Sequence, residues 1–106
     1  MKLKAKHILL SYDEAEMSTH TRPLGVAFQE AERIIKELKT GKLNWDKAAY
    51  ENSACPSGKN SLGDLGEFDE LDMVPEFSEA VKRLNVDEIG PPVVSPFGVH
   101  IVVRTG

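Results

Sequence analysis

Apolar and polar residues alternate through Lys2 to Ser11, with Leu3, Ala5, His7 and Leu9 on one side and Lys2, Lys4 and Lys6 on the other. This is the period of a half-buried strand, and its phase turns His7 toward the apolar side. From Tyr12 to Gly25 (YDEAEMSTHTRPLG) polar residues run without a sustained period into a proline and a glycine, the signature of a loop. Helical spacing takes over from about Val26 to Thr40, where Phe28, Ala31, Ile34, Ile35 and Leu38 make one stripe and Gly41 supplies the stop.

Asn44 is placed to cap a second helix, WDKAAYENSA, which must end near Ala54 because the residue before Pro56 is pushed out of the helical region. After the loop PSGKNSLG, the segment Asp64 to Asp69 has the length of one strand. Pro75 at a first helical position, Glu76 and Glu79 early and Lys82 with Arg83 late define a third helix, with Phe77, Ala80, Val81 and Leu84 as its buried stripe. Pro92 to Ser95 and Val99 to Arg104 are β-rich runs joined by a Pro-Phe-Gly turn, a hairpin. Four short strands, helices between them and a closing hairpin predict an α+β fold, with helices packed on an antiparallel or mixed sheet.

Composition narrows the picture. With 106 residues and 41% hydrophobic content the chain is expected to form one domain over residues 1–106. Its single cysteine, Cys55, excludes an internal disulfide or a CxxC metal ribbon. Nothing approaches the roughly 20 apolar residues of a membrane span, and the apolar run of the N-terminus stops at Ser11 with no small-residue cleavage site after it. A cytoplasmic location is therefore expected for the chain as given, or an exported one if it is cut from a longer secreted protein. The net charge is −4, and Asp64 to Glu79 carries seven acids and no base. Such a surface repels polyanions, so no nucleic-acid partner is expected.

Three constellations offer chemistry. His7 on the first strand and His100 on the last meet only if those strands are adjacent; taken singly, each is a core or edge residue. A zinc site would draw on His7, His100, Cys55 and His20, none of which has the short spacing of structural ligands. Cys55 as a nucleophile would need a histidine base, yet it follows a helix C-terminus, the end that does not acidify a thiol. Leu65, Met73 and Phe77 surround the acidic segment, where core filling is their simplest role, and Gly63 and Gly66 suit a turn and a close backbone approach.

The words KHILL, SACPSGK, GDLGEF, MVPEF and FGVHIVVR stand in that order across Ala5 to Arg104, and together they resemble the parvulin family of peptidyl-prolyl cis/trans isomerases. The resemblance implies a four-stranded antiparallel sheet surrounded by about four helices. Three would lie between the first two strands and one before the closing hairpin, and the helix not read from the pattern above would be a short turn around Ser57 to Leu62.

It further implies that His7 and His100 pair side by side and that Ser95 hydrogen-bonds into the pair. Cys55 matches a position held by Cys or Asp. Leu65, Met73 and Phe77 match the wall of a pocket for the substrate proline ring, and Phe97 extends it. The spacing from Cys55 to GDLG is one residue longer than is common, and Leu62 stands where a glycine often does.

Members that require a phosphorylated residue before proline carry a basic cluster in the loop after the first strand. Here that loop has one arginine and three acids, so no phosphate requirement is expected, and the acidic rim should prefer neutral or basic residues beside the proline. The implied partners are proline-containing polypeptides, met without cofactor or metal by a monomer or by one domain of a longer chain. The competing functions are a parvulin-like chaperone or polypeptide-binding module with little catalysis, and a thiol-dependent hydrolase.

Overall fold

The first and last strands of the chain lie side by side at the centre of one sheet. The structure, a computed structural model, describes residues 2–12, 23–54 and 61–106. Along the chain come β1 (Lys2–Leu10), α1 (Leu24–Lys39), α2 (Trp45–Asn52), β2 (Asp64–Asp69), a 3₁₀ turn (Glu70–Asp72), α3 (Pro75–Lys82), β3 (Val93–Ser95) and β4 (Gly98–Arg104). The strand order is β2-β1-β4-β3, and every neighbouring pair is antiparallel. The α+β expectation holds, with the antiparallel option realised.

Both faces of the sheet are covered, and the alternation along the central strands decides which residue goes where. On one face Ile8 and Leu10 of β1 and Val99 and Ile101 of β4 pack against Ala27, Ala31, Ile34 and Ile35 of α1 and Ala48 and Ala49 of α2. On the other, Leu3, Ala5, Phe68 and Val102 pack against Phe77 and Val81 of α3 and the following Leu84. The expectation of a half-buried first strand therefore applies only to its beginning. Lys2 and Lys4 are exposed, but Ile8 and Leu10 continue the lysine side of the strand beneath α1 and α2. Lys6 marks the changeover, with its ammonium 4.8 Å from the centre of the Trp45 ring.

Helix ends follow local chemistry. Asn44 caps α2 as expected, its Oδ1 accepting from the N–H groups of Asp46 at 2.9 Å and Lys47 at 3.4 Å. The expected end near Ala54 moves back to Asn52, because Ser53 is extended and the chain turns to pair with β1: Ala54 donates its N–H to the Leu9 carbonyl at 2.7 Å. Helix α1 begins at Leu24 rather than Val26, since Pro23 supplies the carbonyl that receives the Val26 and Ala27 N–H groups. In α3, Ser78 is buried where Ala80 was expected, its hydroxyl satisfied by the Glu70 carbonyl at 2.6 Å. Of the short turn expected around Ser57 to Leu62, residues 57–60 lie outside the described residues. Among the described residues no helix is long and apolar enough to cross a membrane.

Candidate functional site

Pairing of β1 with β4 places Leu9 opposite His100 and Val102 opposite His7. The two histidines are thus diagonal neighbours on one face, close enough for long side chains to meet. Their Nδ1 atoms are 3.2 Å apart and the rings lie 20° from parallel. Phe77 of α3 stands edge-on over both, with centroids 5.5 Å from His7 and 5.3 Å from His100. Only 6% of His7 and 5% of His100 is exposed.

The network continues behind His100. Its Nε2 lies 2.6 Å from the Ser95 hydroxyl, which also accepts the Phe97 N–H at 3.2 Å. Tyr12 donates its hydroxyl proton to the Ser95 carbonyl at 3.3 Å. The hairpin explains this closeness: Ser95 is the last residue of β3 and pairs with Gly98 across the two-residue turn Pro96-Phe97.

Burial disfavours the charged imidazolium, lowering His7 to about 4, and lowers His100 to about 3 with help from the neighbouring ring. Both rings are neutral at pH 7, so one Nδ1 carries the proton that the other accepts. The relay has two consistent directions, Ser95 to His100 to His7 or the reverse. It is a polar element without net charge.

Above the pair opens a cleft of about 490 Å³. Leu9, Leu65, Met73, Val74, Phe77 and Phe97 make its apolar wall, His7 and His100 lie in it, and Asp72 is its remaining lining residue. Two local devices build the wall.

The first is a bulge in β2. Lys4 pairs with Glu67 and Lys6 with Asp64, so Leu65 and Gly66 together face the single Ala5. Without the extra residue Leu65 would fall opposite Lys6 on the far face; with it, Leu65 packs beside Ala5 and Phe77. Gly66 adopts the positive φ of 66° at the bulge, and Asp64 Oδ1 accepts its N–H at 2.8 Å.

The second device is the 3₁₀ turn that delivers Met73 and Val74. Asp69 Oδ1 accepts the Leu71 N–H at 3.0 Å while Asp72 Oδ2 accepts the Asp69 N–H at 3.1 Å, a reciprocal capping box. An ion pair of 2.6 Å between Lys82 and Glu70 joins the turn to α3.

The structure therefore brings together His7, Ser95, His100, Leu65, Met73, Phe77 and Phe97. Cys55 and His20 lie outside the described residues, and with them the tests of a thiol nucleophile and of the four-ligand zinc site. Among the described residues no group of three potential ligands could hold a metal ion. Sequence reasoning missed Tyr12, assigned to a loop, and Asp72, absorbed into a charge run. Leu9 was legible as a partner of His7, two residues along the same face.

A family profile described as "Rotamase: PPIC-type PPIASE domain" matches residues 7–106. The chain is 34% identical over 105 residues to "Foldase protein PrsA" of Halalkalibacterium halodurans, covering 99% of this chain and 27% of that protein. It spans only 27 to 31% of the length of three PrsA relatives. Over 97% of its length it is 32% identical to "Peptidyl-prolyl cis-trans isomerase Pin1" of Arabidopsis thaliana, covering 94% of that protein. Among solved structures, "Peptidyl-prolyl isomerase ESS1 from Candida albicans" superposes with a TM-score of 0.92 at 26% identity, covering 99% of this chain and 63% of the other. The parvulin resemblance read from five short words thus holds across the whole fold, and the chain belongs to the PPIC-type PPIASE domain family.

Proposed function

We propose that residues 1–106 act as one peptidyl-prolyl cis/trans isomerase domain, turning Xaa-Pro bonds of peptides and unfolded chains without a covalent intermediate. The observation that carries this reading is an apolar wall set directly against a neutral, hydrogen-bonded histidine pair. The name borne by the Arabidopsis relative, which is matched over nearly its full length, supports it.

The amide barrier is about 18 to 20 kcal/mol, and its origin is resonance that puts partial charge on the carbonyl oxygen. Rotation removes that resonance, so the twisted state tolerates a site of low polarity better than the planar one does. Leu65, Met73, Phe77 and Phe97 hold the proline ring while the preceding carbonyl turns. A thousandfold acceleration requires only about 4 kcal/mol of preferential binding of the twisted state.

His7, His100 and Ser95 maintain the floor of the cleft through their network. Cys55 is assigned a polar role near the rotating carbonyl; because the reaction requires no acyl transfer, nucleophilic attack is the less economical reading.

The test is an Xaa-Pro isomerisation assay on the wild type, Cys55→Asp and Cys55→Ala. Retained activity in Cys55→Asp excludes the thiol nucleophile. An inactive wild type that still binds proline peptides would instead identify a chaperone or polypeptide-binding module.

A further inference from the structure

Asp72 is the one carboxylate among the described residues that line the cleft, set in a wall otherwise made of aliphatic and aromatic groups and the two neutral histidines. Its neighbours are engaged elsewhere: Asp69 lies 3.9 Å from the Lys2 ammonium and Glu70 2.6 Å from that of Lys82. No basic side chain among the described residues pairs with Asp72, whose Oδ2 holds the Asp69 N–H. Asp72 is itself exposed, so a substrate cation can reach it from solvent and their attraction is weakened by salt.

We propose that Asp72 is a specificity-determining residue that selects an arginine or lysine directly beside the substrate proline. The inference rests on the isomerase reading above and adds the chemical class of the preferred sequence. An extended chain advances about 3.3 to 3.6 Å per residue, so a ring held between Met73 and Phe77 leaves its adjacent residue within reach of the carboxylate that precedes Met73. The long stem of Arg or Lys lies along the apolar wall while its cation meets Asp72. A phosphorylated or Glu residue there meets like charge.

A peptide series carrying Ala, Arg, Lys, Glu or phosphoserine before proline, and a second series varied after it, tests the assignment. At low salt Arg and Lys peptides should exceed Ala in kcat/KM by about three- to fivefold in one series, and the advantage should shrink near 1 M salt, where the screening length is about 3 Å. Asp72→Asn keeps an oxygen for the Asp69 N–H but loses the charge, and should flatten the Arg-to-Ala ratio. Asp72→Glu should retain it, an outcome that a purely structural role for Asp72 would not produce.

An unchanged ratio in Asp72→Asn, or fastest turnover of Glu or phosphoserine peptides, overturns the proposal. If no peptide isomerises, the isomerase reading fails by itself, and peptide affinities from NMR titration decide the charge preference. Tighter Arg binding that is lost in Asp72→Asn supports it, whereas equal affinities or no binding at all overturn it.

Discussion

The Gly63 carbonyl accepts the His7 N–H at 2.9 Å, and a methyl group placed on Gly63 would stand 2.3 Å from the His7 carbonyl oxygen. The residue preceding β2 is thus laid flat on the backbone that carries half of the histidine pair. No side chain fits, and the φ of +84° is one that glycine alone adopts freely. Gly63→Ala should lose more than about 2 kcal/mol of stability through strain and backbone displacement. It should also disturb the His7 ring. Chemical denaturation together with His ring NMR shifts checks both, and an alanine variant with wild-type stability would contradict the contact.

One residue earlier the opposite change should help. Ser61 to Asp64 is a tight turn closed by the Asp64 N–H on the Ser61 carbonyl at 3.1 Å, and both central residues have positive φ, 56° at Leu62 and 84° at Gly63. That pattern favours Asn-Gly, and a leucine bears the left-handed strain without compensation from its 37% exposed side chain. Leu62→Asn should stabilise by about 0.5 to 1 kcal/mol. The Trp45 Nε1–H bond to the Leu62 carbonyl, 2.8 Å long, involves backbone and survives the change. A lower denaturation midpoint in Leu62→Asn would show that leucine packing outweighs the strain.

The histidine pair makes stability depend on pH in a definite direction. Each ring has a folded value below its unfolded value of 6.5, about 4 for His7 and about 3 for His100, so the unfolded chain binds protons first as pH falls. Stability from this source is complete above pH 6.5 and is lost progressively below it, by up to about 1.4 kcal/mol per pH unit for each ring. NMR titration should find neither ring charging between pH 8 and 5.5. A ring titrating near 6.5 would refute the buried, neutral pair.

Among the described residues, the Ser95 hydroxyl is the oxygen that meets both His100 Nε2 and the Phe97 N–H. Ser95→Ala leaves the buried His100 Nε2 and the part-buried Phe97 N–H without it, and should cost about 1 to 3 kcal/mol together with most of the ordering of the His100 ring. Ser95→Thr keeps the hydroxyl and should recover both quantities. If alanine proves as stable as serine, the network is not what orders His100.

Much of this site was readable from the chain, and the boundary has a physical cause. Local patterns located β2 at Asp64 to Asp69 and α3 from Pro75, because alternation, capping and proline act over a few residues. They also put His7 and His100 on apolar phases of separate strands. That the two rings touch depends on β1 lying next to β4, a pairing across 93 residues that no local period encodes. Only the order of the family's words supplied it. Tyr12 escaped notice for a related reason: its bond to Ser95 and its packing against the core beneath α1 and α2 come from a polar stretch with no period of its own.

The bulge in β2 gives the last prediction. It exists so that Leu65 can face Phe77 rather than Lys6, and it requires the left-handed φ of Gly66, where an added Cβ would meet nothing within 4 Å. Substitution there therefore costs backbone strain alone, about 1 kcal/mol for Gly66→Ala, and the chain can relieve it by shifting the register. A one-residue shift would withdraw Leu65 from the cleft, so Gly66→Ala should raise KM for proline peptides with a smaller effect on kcat. Leu65→Ala should reproduce this by removing the wall directly, whereas Gly66→Asn, which tolerates the left-handed region, should restore KM. Unaltered KM in Gly66→Ala despite a loss of stability would mean that the bulge does not set the proline wall.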